Sequence, residues 1–127
     1  MSETKGEVLF YGIDNICEKL DGIIQSLNLK KQCFEIKLII IEAINNAFIH
    51  GNKKDENKSI CIKWQFEEDI LEVVVTDCGD GVENLANYNS ENDDILAESG
   101  RGLQIINYYS DSVEFKGNSI IMKKYLA

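Results

Sequence analysis

The 127-residue sequence has no proline, one histidine, one tryptophan and few basic residues. Its 13 Lys and Arg residues are outnumbered by 22 Asp and Glu residues, which gives a net charge of −9. A chain this acidic repels the phosphate backbone of nucleic acids, and no basic stripe offsets the charge. The composition therefore argues against a nucleic-acid-binding protein. A small anionic nucleotide can still bind where backbone N–H groups and a cation compensate locally.

Long apolar runs and paired cysteines are also absent. No segment is long enough to span a membrane, and the first ten residues have no signal-peptide pattern. The four cysteines form no CxxC pair and fit no zinc spacing: Cys17, Cys33, Cys61 and Cys78. We interpret them as reduced thiols, several of them in the core, and expect a cytoplasmic protein without membrane contact.

What is present predicts one α+β domain over residues 1–127, since 44% hydrophobic residues are enough for a core. The period of the apolar residues separates helices from strands. Predicted strands span residues 6–13, 59–68, 69–77, 112–117 and 118–125. Predicted helices span residues 14–29, 30–52 and 102–111, the second ending at Gly51. The order β-α-α-β-β-loop-α-β-β favours a two-layer α/β sandwich, with a mixed, mostly antiparallel sheet and helices on one face.

Two polar residues interrupt the apolar pattern of the second helix, in "IEAINNAFIHGN". Glu42 and Asn46 are i,i+4 neighbours and share one face. They flank a stripe expected to pack on the sheet, formed by Ile36, Ile40, Ala43, Ile44 and Ala47. A carboxylate and a carboxamide at this spacing can hold a hard cation, and the carboxylate can accept a proton. A solvated helix edge would explain the same pattern, and the residues alone leave both interpretations open.

The segment "DCGDGV", Asp77 to Val82, follows a predicted strand. Gly79 and Gly81 permit a positive φ or the close approach of a ligand to the backbone. Ordinary hairpins use Asp-Gly in the same way. Here a polar segment of roughly 25 residues follows instead of a strand, and loops of that length are usually functional. The context therefore favours a binding loop.

The segment "ESGRGLQII", Glu98 to Ile106, leads from glycines directly into an apolar helix. Free N–H groups at such a helix start can bind phosphate, and Arg101 adds positive charge. A plain helix cap by Ser99 is equally compatible. The segment is not a Walker A loop, because no Gly-Lys-Ser/Thr follows.

In this order and spacing, the three motifs resemble the N, G1 and G2 boxes of the GHKL ATPases, which include gyrase, Hsp90, histidine kinases and MutL. The resemblance covers about residues 35–125 and implies the Bergerat ATP-binding fold, with ATP and Mg²⁺ as ligands. The full pattern "EAINNAFIHGN … DCGDGV … SGRGLQII" is most similar to the anti-sigma factor serine/threonine kinases.

The resemblance implies a role for each matching residue. Glu42 would be the general base, and Asn46 would coordinate the Mg²⁺ that bridges the phosphates. His50 matches a His-Gly that follows the N box and is a candidate for the phosphate end, although a polar histidine at a helix end needs no such role.

The same resemblance implies that Asp77 accepts the amino group of adenine. Further residues would shape the base pocket or follow the triphosphate: Gly79, Gly81, Val82, Gly100, Arg101, Gly102 and Leu103. An ATP lid is expected at about residues 83–101. Many family members carry a Gly-Thr whose threonine supports the adenine-binding aspartate. This chain has Asn118 and Ser119 there, so Ser119 is the candidate substitute.

The implied function is transfer of the ATP γ-phosphoryl group to a STAS-type anti-anti-sigma regulator, together with sequestration of a sigma factor. Three alternatives stay open: an ATP-dependent switch that binds a partner without transfer, the ATPase domain of a two-component histidine kinase acting in trans, and a purely structural interaction domain. The histidine kinase is less favoured, because no helix with a phospho-accepting histidine is predicted before Glu7. The first strand helps to build a homodimer in the resembled kinases, and its apolar "VLFYGI" would permit the same here.

Overall fold

The computed structural model describes residues 4–27, 32–79 and 101–126. The strands are β1 (Thr4–Tyr11), β2 (Ser59–Glu67), β3 (Ile70–Thr76), β4 (Ser112–Lys116) and β5 (Ser119–Tyr125). The helices are α1 (Ile16–Leu27), α2 (Cys33–Asn46) and α3 (Arg101–Tyr109), and a π-helical turn at Ala47–Gly51 follows α2 directly. Within the described residues, the predicted order of helices and strands is confirmed, and the predicted bounds lie within a few residues of those observed. The predicted loop before α3 lies mostly outside the described residues.

The strands form one sheet in the order β1-β2-β3-β5-β4. Each of the described pairings is antiparallel, which agrees with the expected mostly antiparallel sheet. The β2–β3 hairpin turns through Glu68 and Asp69, whose φ angles are 55° and 66°. Two successive positive φ angles match the twist of a tight two-residue hairpin. The central strand β3 thus lies between β2 and β5.

The helices cover one face of this sheet, as predicted. Side chains along β2 and β3 alternate in burial, and those on the helix side form the core: Ile60, Ile62, Leu71, Val73 and Val75. The predicted stripe, which runs along α2 into the π-helical turn, is buried throughout: Ile36, Ile40, Ala43, Ile44 and Ala47. Helix α2 packs against β3 below it and against α1 and α3 beside it. The α+β sandwich is therefore confirmed.

The expectation that several cysteines lie in the core is wrong. None of the four forms a disulfide bond; Cys17 and Cys78 are exposed, and Cys33 and Cys61 are only half-buried. Cys61 lies between the buried Ile60 and Ile62 and therefore points to the opposite face of the sheet. There its thiol donates a hydrogen bond of 3.3 Å to Glu7 Oε2.

One prediction concerns a region that the structure describes only in part. The ATP lid at about residues 83–101 lies outside the described residues except for Arg101, the first residue of α3. Among the described helices, none has the length and apolar character needed to cross a bilayer.

Candidate functional site

Glu42 lies where α2 meets the first turn of α3. A Cβ atom added to Gly102 would stand only 2.8 Å from Glu42 Oε1, so the carboxylate rests against the glycine backbone. Gly102 is buried, whereas Glu42 and Leu103 are half-buried. The start of a helix carries a partial positive charge that favours a nearby anion. The predicted N-box carboxylate and G2-box glycine are therefore neighbours in space.

Asn46 lies one helical turn after Glu42 and is 6% exposed. Its Nδ2 atom has no hydrogen-bond partner among residues 4–27, 32–79 and 101–126. An unsatisfied buried polar group costs about 1–3 kcal/mol, and such groups are rare in native proteins. The Nδ2 donor of this buried carboxamide therefore has no acceptor in these ranges, and an acceptor oxygen of a bound ligand would satisfy it. The side chain of Asn46 thus fits a binding role better than a solvated helix edge.

The π-helical turn brings the end of α2 against the loop after β3. Asn52 N donates to Ala47 O at 2.8 Å, which widens the last turn by one residue. A Cβ atom on Gly51 would overlap the carboxylate of Asp77, and one on Gly79 would overlap the carbonyl of Gly51. Single π-helical turns often occur at functional sites. Here the turn permits Gly51 and the loop from Asp77 to Gly79 to meet with only the Asp77 carboxylate as a side chain between them.

Asp77 directly follows β3, and hydrogen bonds to its backbone groups hold it in place. Its N–H donates to Asn118 O at 3.1 Å, and its carbonyl accepts a hydrogen bond from Asn118 Nδ2. The Oδ1 atom accepts a hydrogen bond of 2.7 Å from Gly79 N. Burial raises the pKa of the Asp77 carboxyl group, and the Gly79 N–H opposes this shift. The result is a partly desolvated acceptor at a fixed position.

Ser119 lies opposite Thr76 in the β3–β5 pair, and their hydroxyl groups are 2.6 Å apart. The side chain that contacts Asp77 from this hairpin is that of Asn118, through the backbone carbonyl. Ser119 therefore supports the residue before Asp77. The predicted link from Ser119 to the aspartate runs through Thr76 and the backbone.

A comparison with known families covers these same elements. The family model described as "Histidine kinase-like ATPase domain" matches residues 14–124, which include α2, the Asp77 turn and α3. The chain belongs to the histidine kinase-like ATPase family. Membership implies that the chain binds ATP.

Curated members of this family have similar sequences. The anti-sigma F factor of Clostridium perfringens (strain SM101 / Type A) is 36% identical over 116 residues, which cover 84% of this chain and 77% of the relative. The serine-protein kinase RsbW of Bacillus subtilis (strain 168) is 34% identical over 102 residues, covering 72% of this chain and 64% of the relative. The anti-sigma F factor of Oceanobacillus iheyensis is 32% identical over 103 residues, covering 73% and 69%. The chain is therefore similar to the anti-sigma branch of the family.

Not every residue of the family motifs can be placed. Gly81, Val82 and Gly100 lie outside the described residues, and for Arg101 only the backbone is described, at the start of α3. His50 lies half-buried in the π-helical turn, between Asn46 and Gly51. The structure brings two groups of predicted residues together: Glu42 with Gly102, and Asp77 with Gly79.

Sequence reasoning missed Asn52, the residue after Gly51. It has 0% exposure, and its Oδ1 atom accepts a hydrogen bond of 2.7 Å from Cys78 N. Its Nδ2 atom donates to Ser59 O at 3.1 Å and to Lys58 O at 3.3 Å. The only signal in the sequence is an asparagine after a helix-ending glycine, which is common in exposed turns. Nothing in that pattern indicates burial beside Asp77.

Proposed function

We propose that this protein is an anti-sigma-type serine/threonine kinase. It transfers the γ-phosphoryl group of ATP to a STAS-type anti-anti-sigma regulator and sequesters a sigma factor. The contact of the Glu42 carboxylate with Gly102 at the start of α3 carries the proposal, because it joins a proton acceptor to a phosphate-binding helix end. The names of the relatives, anti-sigma F factor and serine-protein kinase, support both activities.

In the proposed reaction, the serine or threonine oxygen of the regulator forms a bond to the γ-phosphorus. The bond between this phosphorus and the bridging oxygen of ADP breaks, and ADP leaves with that electron pair. Glu42 accepts the hydroxyl proton, which raises the nucleophilicity of the attacking oxygen. The N–H groups in the first turn of α3, at Gly102 and Leu103, bind phosphate oxygens. Gly100 and Arg101 are proposed to assist from the end of the lid, residues 83–101.

Asn46 is proposed to hold Mg²⁺ through its carboxamide oxygen. Carboxamide and carboxylate oxygens suit Mg²⁺, and one or two such groups suffice when phosphate oxygens and water complete the coordination. The buried Asn46 side chain, one turn from Glu42, fits this requirement. When bound, Mg²⁺ neutralises phosphate charge. We propose that His50 lies toward the same phosphate end.

The adenine base is proposed to bind beside Asp77. The carboxylate accepts the amino group of the base, and Gly79, Gly81 and Val82 give the ring access to the backbone. Ser119 supports Asp77 indirectly, because its hydroxyl group lies 2.6 Å from that of Thr76, the residue before Asp77. The whole chain, residues 1–127, then acts as one catalytic domain. Its location in the cytoplasm stays a prediction.

The decisive experiment incubates the protein with [γ-³²P]ATP, Mg²⁺ and each STAS-domain protein of the source genome. We expect one regulator to become labelled on serine or threonine. Glu42→Gln should reduce the rate by at least about 100-fold while ADP affinity stays within a few-fold, because the base acts only in the transition state. Glu35→Gln on the same helix is the matched control and should transfer normally. Normal transfer by Glu42→Gln would refute its role.

The experiment also separates the alternatives. Tight nucleotide binding without labelling of any regulator, but with ATP-dependent retention of a sigma factor, would favour a non-catalytic switch. Transfer to a histidine would indicate a two-component partner acting in trans. Failure to bind any adenine nucleotide in calorimetry would leave only a structural interaction domain.

We further propose a homodimer through β1. This strand lies at one edge of the sheet, and two of its apolar side chains are exposed, Leu9 by 52% and Tyr11 by 57%. Exposed apolar edge strands readily pair with another chain. Sedimentation should give a dimer for the native protein and a monomer for Leu9→Lys. A native monomer at high protein concentration would refute the proposal.

A further inference from the structure

The carboxamide of Asn52 connects three parts of the chain. It is completely buried and follows the π-helical turn. Its oxygen accepts the N–H of Cys78, and its nitrogen donates to the carbonyls of Lys58 and Ser59 at the start of β2. All its donor hydrogens and its acceptor oxygen are thus in use. A fully satisfied buried carboxamide of this kind fixes the relative position of the segments that it joins.

The segment held by Asn52 is the one that presents Asp77. Cys78 lies between Asp77 and Gly79, so its amide is the middle of the turn that supplies the Gly79 hydrogen bond to the carboxylate. The Cys78 thiol lies 3.4 Å from Ser59 O, the carbonyl that also accepts from Asn52. The turn is therefore fastened to Asn52 at the Cys78 amide and to β2 at the Cys78 thiol. Gly51, next to Asn52, closes the opposite side of the carboxylate.

We infer that Asn52 is a positioning residue that sets the preference for adenine over guanine by fixing Asp77. This inference rests on the proposed function. Adenine has an amino group where guanine has a carbonyl oxygen. A carboxylate acceptor attracts the first and repels the second, and the discrimination depends on its position. Asn52 contacts neither base and acts only through the Cys78 amide.

The test compares Asn52→Leu, which keeps the volume and removes all three hydrogen bonds, with the native protein. Calorimetry measures the Kd for ADP and GDP, and tripolyphosphate reports on the phosphate side alone. We expect the ratio of the GDP Kd to the ADP Kd to fall at least about tenfold, while tripolyphosphate affinity changes less than about threefold. A partly unfolded variant would weaken ADP and GDP equally, so a structural effect alone leaves the ratio unchanged.

Asn57→Leu is the matched control, because Asn57 is an exposed asparagine in the same loop. Its ratio should equal that of the native protein. Asn52→Asp is a second variant, since it keeps the acceptor for Cys78 N–H but replaces the donor by an oxygen facing two carbonyls. We expect a loss of preference here too. If Asn52→Leu has the same ratio of GDP Kd to ADP Kd as the native protein, the inference is overturned. If Asn52→Leu does not fold, the same result in Asn52→Asp overturns it.

Amide hydrogen exchange tests the same contact without nucleotide. The Cys78 N–H should exchange slowly in the native protein and at least about tenfold faster in Asn52→Leu, because its acceptor is then lost. Exchange at the rate of an exposed amide in the native protein would overturn the inference by itself. Lack of ADP binding by the native protein would overturn the proposed function, whereas binding with an unchanged ratio in the variants overturns this inference alone.

Discussion

The carboxylate of Glu42 rests on the backbone of Gly102, so close that a Cβ atom on the glycine would be 2.8 Å from Glu42 Oε1. Gly102→Ala should therefore push the carboxylate aside by a few tenths of an ångström. The helix itself should gain up to about 1 kcal/mol, because alanine suits a helix better than glycine. We expect phosphoryl transfer to fall about 10- to 100-fold with no loss of thermal stability.

The measurement pairs a transfer assay with a thermal melt of the same preparation. Gln104→Ala, at an exposed site two residues further along α3, provides the comparison. A native transfer rate in Gly102→Ala would show that the contact with Glu42 has no role in the reaction.

Gly51 forms a similar contact on the base side of the site. A Cβ atom there would overlap the Asp77 carboxylate, which has little freedom because Gly79 N and the Asn118 backbone hold this residue. Gly51→Ala should weaken ADP binding at least about tenfold by displacing the acceptor. Gly22→Ala is the control, since nothing lies within 4 Å of its added Cβ. Calorimetry should give that control native affinity, and equal affinities for both variants would contradict the prediction.

The raised pKa of Asp77 predicts how stability depends on pH. Between the unfolded and native pKa values, the native state binds more protons than the unfolded state, so the free energy of unfolding falls as pH rises through this window. Asp77→Asn removes the titration. Relative to the native protein, the variant should become more stable as the pH rises from the range in which an ordinary aspartate titrates up to neutral pH. Denaturant melts across this range test the sign.

The same substitution separates stability from binding. Asp77→Asn should lower ADP affinity at least about tenfold at neutral pH, because the charged acceptor of the amino group is lost. Asp55→Asn is the charge-matched comparison. It removes the same charge from a loop carboxylate that accepts a hydrogen bond from Asn57 N. A variant with unchanged affinity would exclude Asp77 from base recognition.

We predict that Asn46 lowers the stability of the nucleotide-free protein and contributes to the binding of Mg²⁺ with ATP. Its Nδ2 has no partner in the described part of the chain, so Asn46→Leu should leave the nucleotide-free protein equally stable or up to about 3 kcal/mol more stable. In the native protein, Mg²⁺ should tighten ATP binding, and this effect should disappear in the variant. Calorimetry with Mg²⁺ or EDTA gives both affinities. A retained Mg²⁺ effect, or a large loss of stability, would contradict the prediction.

Much of the fold follows from patterns that are local in sequence. The stripe from Ile36 to Ala47 and the alternation around Ile60 and Ile62 reflect burial against one surface, and burial repeats at the period of the element. Glu42 and Asn46 could be placed on one face for the same reason.

Contacts between distant segments could not be predicted in this way. The π-helical turn depends on one extra residue of backbone, which the side-chain pattern does not encode. The burial of Asn52 arises because the start of β2, seven residues further along the chain, and the Asp77 turn, whose Cys78 is 26 residues further along, meet around it. Cys61 could not be placed because a half-exposed cysteine suits either face of a strand.

The position of β5 between β3 and β4 also constrains the time at which the protein becomes active. As the chain is synthesised, β3 emerges with one edge open, and the strand that covers it, Ser119–Tyr125, follows only after α3 and β4. The backbone of Asp77 is pinned by Asn118, at the turn just before that strand. A nascent chain that ends before Asn118 therefore lacks both hydrogen bonds that fix the Asp77 backbone. If Asp77 binds the base as proposed, we expect capture of ATP to follow the emergence of the β4–β5 hairpin from the ribosome.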